Sequence, residues 1–334
     1  MRRKVERVGL GLFAASAIAM LASSAAASPE DVAAERYGVY RGSAGGLAYK
    51  VHVPPSYRSG VSTPLLVALH GCFMTGFSVN SMEKTTGLSR LADERGFVVV
   101  YPSQDPRRNR QMCWNFDQPE HQRRDAGEPS LIAGVTETVV DTYHVDPGRV
   151  YVAGASAGAA MSVVMGVTYP DLYAAIAVGA GCEYACDPAL ADDPDSVSPL
   201  ETAVRAYREM GERARPVPTF IMQGTADSLV PPLAADRLVT HWARIDDLAI
   251  DGRADGDVDD VPDSVRRVAE PGSHPYTRSV YTARGSGRVL IGTYVVEGLG
   301  HEWPGSDKGL FSDPTGPNAT ELLWEFMSAH SMPE

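Results

Sequence analysis

The sequence contains no run of basic residues beyond its first few positions, and acidic residues outnumber basic ones by 42 to 30. The formal net charge is therefore −12 at pH 7. Nucleic acids and anionic membrane surfaces attract clustered Lys and Arg, and they repel a strongly acidic chain. We therefore expect neither of them as a partner.

Long apolar runs are also lacking, because the one uncharged stretch at the N-terminus covers only residues 8–21. A membrane-spanning helix needs roughly 20 apolar residues, so a transmembrane anchor is the weaker interpretation. Basic residues precede this stretch and the small residues Ala25, Ala26 and Ala27 follow it, which is the pattern of a secretory signal peptide. We predict a signal peptide at residues 1–27, an extracellular protein without stable membrane insertion, and a single domain at residues 28–334.

Cysteine is rare as well, with four residues that lack the paired CxxC spacing of zinc sites: Cys72, Cys113, Cys182 and Cys186. We therefore expect no metal. Exported proteins use cysteine mostly in disulfides, and two disulfides are plausible here. Cys182 and Cys186 lie close enough in sequence to close a small loop, with free thiols as the alternative.

Apolar β-like runs alternate with helix-like stretches along the chain, which predicts an α/β fold with a mostly parallel central sheet and helices on both faces. The predicted strands are residues 49–53, 64–69, 98–101, 149–153, 174–178, 219–223 and 289–296. The predicted helices are residues 84–95, 130–143, 157–169, 233–244 and 319–330, several with apolar residues three and four positions apart.

Residues 251–264 are rich in Asp and Gly and interrupt this alternation. Asp255, Asp257 and Asp259 alternate as calcium ligands do, but the Gly and Glu that complete a calcium-binding loop are missing. We interpret the segment as an acidic, solvated surface insertion.

The sequence Gly154-Ala155-Ser156-Ala157-Gly158 has the form GxSxG and follows a predicted strand directly. A helix rich in small residues follows it, which is the setting of a nucleophile elbow in the α/β-hydrolase fold. Such a turn exposes the serine hydroxyl at a helix N-terminus, where unpaired amides can face an oxyanion. We predict Ser156 as the nucleophile, with an ordinary Gly-rich turn as the alternative.

A serine hydroxyl needs a base to take its proton, and in this fold the acid and the histidine follow the serine in that order. His301 lies in a Gly-rich loop after a predicted strand, whereas His241 falls within a predicted helix and His274 in a polar loop. Asp227 follows the strand at 219–223 and precedes a helix. We predict His301 as the base and Asp227 as the acid that orients it, although an Asp in a turn is also common.

A second oxyanion donor comes from the loop after an earlier strand in this fold. His70-Gly71-Cys72 ends the strand at 64–69, and glycine lets backbone amides approach a substrate. We therefore predict the amides of Cys72 and Ala157 as the oxyanion hole. His70 precedes Ser156 in the chain, so we expect it to make a structural hydrogen bond instead.

Taken together, these motifs resemble the esterase family of poly(3-hydroxybutyrate) depolymerases and related feruloyl esterases. The resemblance spans about residues 47–330 and is carried by His70-Gly71-Cys72, Tyr101-Pro102-Ser103-Gln104, Cys113-Trp114-Asn115, Gly127-Glu128, the Ser156 elbow and Gly300-His301-Glu302-Trp303-Pro304-Gly305. It implies a secreted, cofactor-free hydrolase that cleaves polyester or aryl-ester bonds through an acyl-enzyme. It also implies a disulfide between Cys72 and Cys113, and an acyl pocket lined by Trp114.

Two positions near the implied pocket depart from the family pattern. Phe116 stands where a second aromatic residue is frequent, and Glu302 stands where a small residue follows the histidine. Trp303 either contacts substrate or packs beneath the histidine loop. The expected substrate is a soluble 3-hydroxybutyrate oligomer, amorphous polymer or small ester, because the chain ends at Glu334 with no appended surface-binding module. The alternatives are a feruloyl or acetylxylan esterase and a non-catalytic secreted binding protein, which would have a broken triad.

Overall fold

A computed structural model describes residues 34–186 and 197–333 of the chain. The signal peptide predicted at residues 1–27 lies outside the described residues. Twelve strands are described: β1 (Ala34–Gly42), β2 (Gly45–Val53), β3 (Thr63–Leu69), β4 (Val98–Ser103), β5 (Val145–Ala155), β6 (Ala175–Gly179), β7 (Thr219–Gly224), β8 (Ser264–Val268), β9 (Tyr276–Thr282), β10 (Val289–Val296), β11 (Trp303–Pro304) and β12 (Ser312–Asp313).

The described part of the chain also contains seven α-helices. They are α1 (Met82–Thr86), α2 (Leu88–Arg95), α3 (Gly127–Thr142), α4 (Ala157–Thr168), α5 (Pro199–Met210), α6 (Leu233–Asp251) and α7 (Ala319–Ser328). The helix predicted at residues 84–95 is divided by Gly87, whose φ of 65° ends α1 before α2 begins. No helix of the described residues has both the length and the apolar character needed to cross a bilayer.

The main sheet has ten strands in the order β1-β2-β4-β3-β5-β6-β7-β10-β9-β8. The six consecutive strands β4-β3-β5-β6-β7-β10 run parallel to one another. The outer pairings on both sides, β1-β2, β2-β4, β10-β9 and β9-β8, are antiparallel. Because parallel strands end at the same edge of a sheet, the segments after β3, β5, β7 and β10 meet there. This edge receives the loops that carry Cys72, Ser156, Asp227 and His301.

Two hydrophobic clusters cover the two faces of the sheet. Alternate residues of β3 show the division, since Leu65 and Val67 belong to one cluster and Leu66 and Ala68 to the other. The first cluster takes residues from α3, α4, α5 and α6, and the second takes residues from α1, α2 and α7. The mostly parallel α/β sheet with helices on both faces, predicted from the sequence, is confirmed.

The acidic segment 251–264 connects the end of α6 to β8 and is mostly exposed. Its one buried apolar side chain is Val258, and the Asp247 carboxylate of α6 accepts hydrogen bonds from the amides of Gly256 and Val258. The segment is therefore fastened to the helix that precedes it. Among the described residues, no group of three or more His, Cys, Asp or Glu side chains is arranged to hold a metal ion.

One buried histidine makes the stability of the fold depend on pH. His241 of α6 is fully buried, shares a 3.0 Å hydrogen bond with Thr202 Oγ1 of α5, and has its pKa lowered by burial to about 3. The unfolded chain protonates this imidazole near pH 6.5, so the folded state binds the proton less tightly. The contribution of His241 to stability is present above about pH 6.5 and is lost as the pH falls from there towards about 3.

We therefore predict that His241→Asn reduces the loss of stability between pH 7 and pH 5 by about 2 kcal/mol relative to the unsubstituted chain. The free energy of unfolding is measured in urea at both pH values for each protein. The prediction concerns the difference between the two pH values, and not the absolute stability. The control is His144→Asn, at an exposed histidine with a φ of 50° that Asn tolerates. An unchanged pH dependence in His241→Asn would contradict the prediction.

Candidate active site

Ser156 occupies the turn between β5 and α4 with a backbone conformation that few residues adopt. Its φ is 55° and its ψ is −122°, a region that costs a non-glycine residue about 1–3 kcal/mol. Surrounding hydrogen bonds hold it there, since its amide donates to Gly179 O at 2.8 Å and its carbonyl accepts from Ala159 N at 2.8 Å. The strained turn places the serine at the N-terminus of α4.

The two glycines of the GxSxG motif permit this turn because the backbone is crowded around it. A Cβ atom on Gly154 would lie 2.0 Å from Gly158 O, and one on Gly158 would lie 2.2 Å from Leu69 O. Both distances are far inside van der Waals contact, and the crowding atoms belong to backbone that cannot move aside. β3, β5 and α4 therefore meet at Ser156 only with glycine at both positions.

Asp227 and His301 form a hydrogen-bonded pair at the ends of β7 and β10. His301 Nδ1 lies 2.7 Å from Asp227 Oδ2, and the loops that carry them are joined by a bond from Ala226 N to Leu299 O. Burial alone would raise the pKa of Asp227, but the hydrogen bond from His301 and those from the amides of Val230 and Leu229 together hold it below its usual value. The carboxylate is therefore ionised and fixes one imidazole nitrogen.

Gln223 supports this carboxylate, a role that the sequence pattern does not predict. Its Nε2 donates to Asp227 Oδ2 at 3.2 Å and to Val230 O at 3.0 Å, and the side chain is buried. Gln223 is the penultimate residue of β7, so its contact with Asp227 depends on the turn that follows the strand. The sequence pattern carries no signal for that turn beyond the Gly at 224.

The two predicted oxyanion donors, the amides of Cys72 and Ala157, both border the same pocket. Within the part of the chain that the structure describes, neither amide donates to a protein acceptor. The loop with Cys72 is fixed by a disulfide to Cys113, with a Cα–Cα distance of 4.2 Å, and by a bond from Phe73 N to Gln111 O at 2.7 Å. Both donors are therefore unpaired and rigidly placed.

His70 lies beneath this loop as a buried, neutral side chain. Its Nε2 accepts from Gln104 N at 3.0 Å and its Nδ1 donates to Gly71 O at 2.8 Å. Burial lowers the pKa of His70 to about 4, which keeps the ring uncharged at neutral pH. The expected structural hydrogen bond is thus confirmed.

Trp114 does not line the pocket, contrary to what the resemblance implied. Its indole is buried against the ring of His70 and donates from Nε1 to His70 O at 3.0 Å. The next residue, Asn115, donates from its backbone amide to the buried carboxylate of Glu128 at 2.8 Å. This bond holds the segment beneath the loop with Cys72. Phe116 lines the pocket in its place.

Trp303 packs beneath the histidine loop and also lines the pocket, whereas its contact with substrate stays a prediction. Its ring borders the pocket, and its Nε1 donates at 3.0 Å to Thr320 Oγ1, which in turn donates to Thr86 O at 2.6 Å. The backbone after His301 is also held by a bond from Trp303 N to Phe311 O at 2.8 Å. Trp303 therefore packs beneath the histidine loop and forms part of the pocket wall.

The pocket has a volume of about 410 Å³ and receives both Ser156 and His301, with Asp227 behind the histidine. Its wall is mostly apolar, and the larger side chains that line it are Phe73, Met74, Phe116, Phe220, Met222, Leu229, Val230, Leu299, Trp303, Phe311 and Leu323. Cys182, which is bonded to Cys186, also lines the pocket. The structure therefore forms both disulfides, and each contributes a cysteine to the wall.

Comparison with solved structures supports the fold on independent grounds. The acetyl xylan esterase from Aspergillus awamori superposes with a TM-score of 0.67 at 19% identity, covering 88% of this chain and 99% of that one. The predicted α/β-hydrolase fold is thereby confirmed.

Two curated proteins are similar in sequence. The Poly(3-hydroxyalkanoate) depolymerase C of Paucimonas lemoignei is 30% identical over 286 residues, covering 84% of this chain and 64% of that protein. A Feruloyl esterase B of Neurospora crassa is 31% identical over 258 residues, covering 73% of this chain and 80% of that enzyme. This chain therefore spans somewhat less than two thirds of the depolymerase.

The family described as esterase PHB depolymerase matches residues 47–261. The chain belongs to this family, as its motifs predicted. The expectation of a carboxylic ester hydrolase is confirmed at the level of the family.

We predict that Asp227→Asn lowers kcat for a soluble ester by about 10³–10⁴-fold, because the amide favours the wrong tautomer of His301. Steady-state rates of the purified variant measure this, with Asp236→Asn at an exposed position of α6 as the control. A kcat within a few-fold of the unsubstituted chain would show that Asp227 does not orient the histidine.

We also predict that the double variant Cys72→Ala, Cys113→Ala loses about tenfold to a hundredfold in kcat. One oxyanion donor contributes about 3–4 kcal/mol, and part of that is lost when the loop that holds it is released. The measurement is kcat of the folded variant, in which Cys182 and Cys186 stay bonded. An unchanged kcat would mean that the disulfide does not position the Cys72 amide.

Proposed function

We propose that the chain is a secreted serine esterase that hydrolyses 3-hydroxybutyrate esters, as oligomers or amorphous polymer, through an acyl-enzyme. The observation that carries this proposal is the 2.7 Å contact between His301 Nδ1 and Asp227 Oδ2, in a site where His301 and Ser156 share one pocket. Because Nδ1 is bonded to Asp227, Nε2 is the nitrogen of His301 that accepts the hydroxyl proton of Ser156.

In the first half of the reaction, Ser156 Oγ attacks the ester carbonyl while His301 Nε2 takes the hydroxyl proton. Asp227 stabilises the imidazolium that forms, and the low pKa of this carboxylate keeps it charged for that purpose. The tetrahedral intermediate then expels the alcohol, which receives its proton from His301.

In the second half, water replaces the alcohol. His301 takes a proton from the water, the resulting hydroxide attacks the acyl-serine, and Ser156 leaves with its proton restored. In both halves the oxyanion accepts hydrogen bonds from the amides of Cys72 and Ala157, aided by the positive end of the α4 dipole.

The apolar wall supports an ester with a largely aliphatic acyl group. A concave pocket of about 410 Å³ admits a flexible chain segment or a small ester, whereas a chain held in a crystalline surface cannot enter it. Soluble oligomers and amorphous polymer are therefore the expected substrates within the polyhydroxyalkanoate class. The similarity to a protein named for depolymerising poly(3-hydroxyalkanoate) supports the same class.

A second candidate function is hydrolysis of feruloyl or acetyl esters of plant cell-wall polysaccharide. It is favoured by five aromatic side chains in the pocket wall, which suit an aryl group: Phe73, Phe116, Phe220, Phe311 and Trp303. The similarity to an enzyme named Feruloyl esterase B supports it too. A non-catalytic binding protein is not supported, because the three triad residues are all present.

The extracellular location is part of the same proposal. The basic and apolar N-terminal pattern supports a signal peptide at residues 1–27, and two disulfides suit an oxidising compartment. Residues 28–334 then form one α/β-hydrolase catalytic domain that needs no cofactor.

The test is product release by the purified mature protein from 3-hydroxybutyrate oligomers, amorphous polyhydroxybutyrate, methyl ferulate and acetylated xylan. We predict release of 3-hydroxybutyrate, and a loss of at least about 10³-fold with Ser156→Ala because no nucleophile remains. The matched control is Ser162→Ala, on the same helix, whose hydroxyl donates to Gly158 O at 2.9 Å.

Release of ferulate or acetate alone would assign the protein to the second candidate function. Hydrolysis retained by Ser156→Ala at the rate of the Ser162→Ala control would refute the nucleophile.

A further inference from the structure

Glu302 is the one Asp, Glu, Lys or Arg among the described residues that line the pocket. It follows His301 directly, and its side chain is exposed. Its Oε2 lies 3.7 Å from the point where a Cβ on Gly300 would stand, so the carboxylate folds back over the loop that carries the histidine. A full negative charge thus borders an otherwise apolar site.

No Lys, Arg or His nitrogen of the described residues lies within 4.0 Å of the Glu302 carboxylate as an ion-pair partner. Glu302 makes no ion pair or side-chain hydrogen bond among the residues that the structure describes. The Lys or Arg nearest to Glu302 along the chain is Lys308, whose Nζ lies 3.5 Å from a carboxylate oxygen of Asp307. Lys84 precedes the pocket residue Thr85 but does not line the pocket.

The electrostatic consequence follows from Coulomb's law at close range. Two like charges about 8 Å apart, at an effective dielectric constant of about 20–40, repel enough to change an equilibrium by roughly sixfold to thirtyfold. We take about 8 Å as the separation between Glu302 and a substrate carboxylate bound in this pocket, because Glu302 is part of the wall of a cavity of about 410 Å³. Neutral esters of the same shape meet no such repulsion.

We propose that Glu302 is a specificity-determining residue that makes the pocket select esters with no negative charge near the scissile bond. The inference rests on the proposed esterase function and narrows its substrate class to neutral esters. In a linear oligomer that ends in a carboxylate, the ester bonds away from that end are then cleaved in preference to the last one.

Two pairs of probes test the proposal, one for each side of the scissile bond. The first pair is the 3-hydroxybutyrate dimer as its free acid and as the primary amide of its terminal carboxyl. The second pair is the 4-nitrophenyl monoester of adipic acid and the corresponding ester of adipamic acid. Each pair differs by one charge and little in shape, so its ratio of kcat/KM isolates the charge.

We expect the native protein to favour the neutral member by about tenfold in at least one pair. Glu302→Gln should bring that ratio close to one, and Glu302→Lys should reverse it. Raising the salt concentration to about 1 M, where the Debye length is about 3 Å, should shrink the ratio in the native protein but not in Glu302→Gln. Glu325→Gln, at an exposed position of α7 outside this pocket, is the charge-matched control.

The same ratio in Glu302→Gln as in the native protein, for both pairs, would overturn the role of Glu302. Since the neutral probes report hydrolysis by themselves, that outcome is distinct from failure of the esterase function. The esterase proposal, and this inference with it, fails only if the native protein leaves the neutral members intact as well.

Discussion

The close approach of three backbone segments at Ser156 is the constraint on which the rest of the site depends. The end of β3, the end of β5 and the first turn of α4 meet so tightly that Gly154 and Gly158 have no room for a Cβ atom. This packing forces Ser156 into its positive φ and places it at a helix N-terminus beside the loop with Cys72. The predicted nucleophile and the predicted oxyanion donors are thus positioned by the same contact, so their geometry does not rely on flexible side chains.

The surrounding residues keep that contact rigid from two directions. Below the Cys72 loop, His70, Trp114, Gln104 and Glu128 form a buried polar network in which each bond joins separate parts of the chain. On the other side, Gln223 and two loop amides fix Asp227, and Asp227 fixes His301. A buried network of this kind is costly when partly broken, so the site is expected to respond to changes in residues that never touch substrate.

Much of this arrangement could be predicted from the sequence, and the exceptions have physical causes. The Ser156 elbow, Asp227 and His301 follow strands whose apolar runs are visible, and parallel strands bring their ends together. The sequence pattern does not predict the outer strands β1 and β8, which are polar and mostly exposed, or β9, which is polar and mostly half-buried. It does not predict α5 either. Trp114 was placed in the pocket wrongly, since its burial depends on a hydrogen bond to His70 O that spans 44 residues. The contact of Gln223 with Asp227 depends on the turn that follows β7, which local patterns do not encode.

Turnover through an acyl-enzyme requires that Ser156 be the residue that is acylated. This can be measured directly by mass spectrometry of the protein after reaction with a phosphonate ester that labels activated serines. We expect one label per chain on the peptide that contains Ser156, formed in step with the loss of ester hydrolysis. Full activity with Ser156 labelled, or inactivation by a label on another residue, would contradict it.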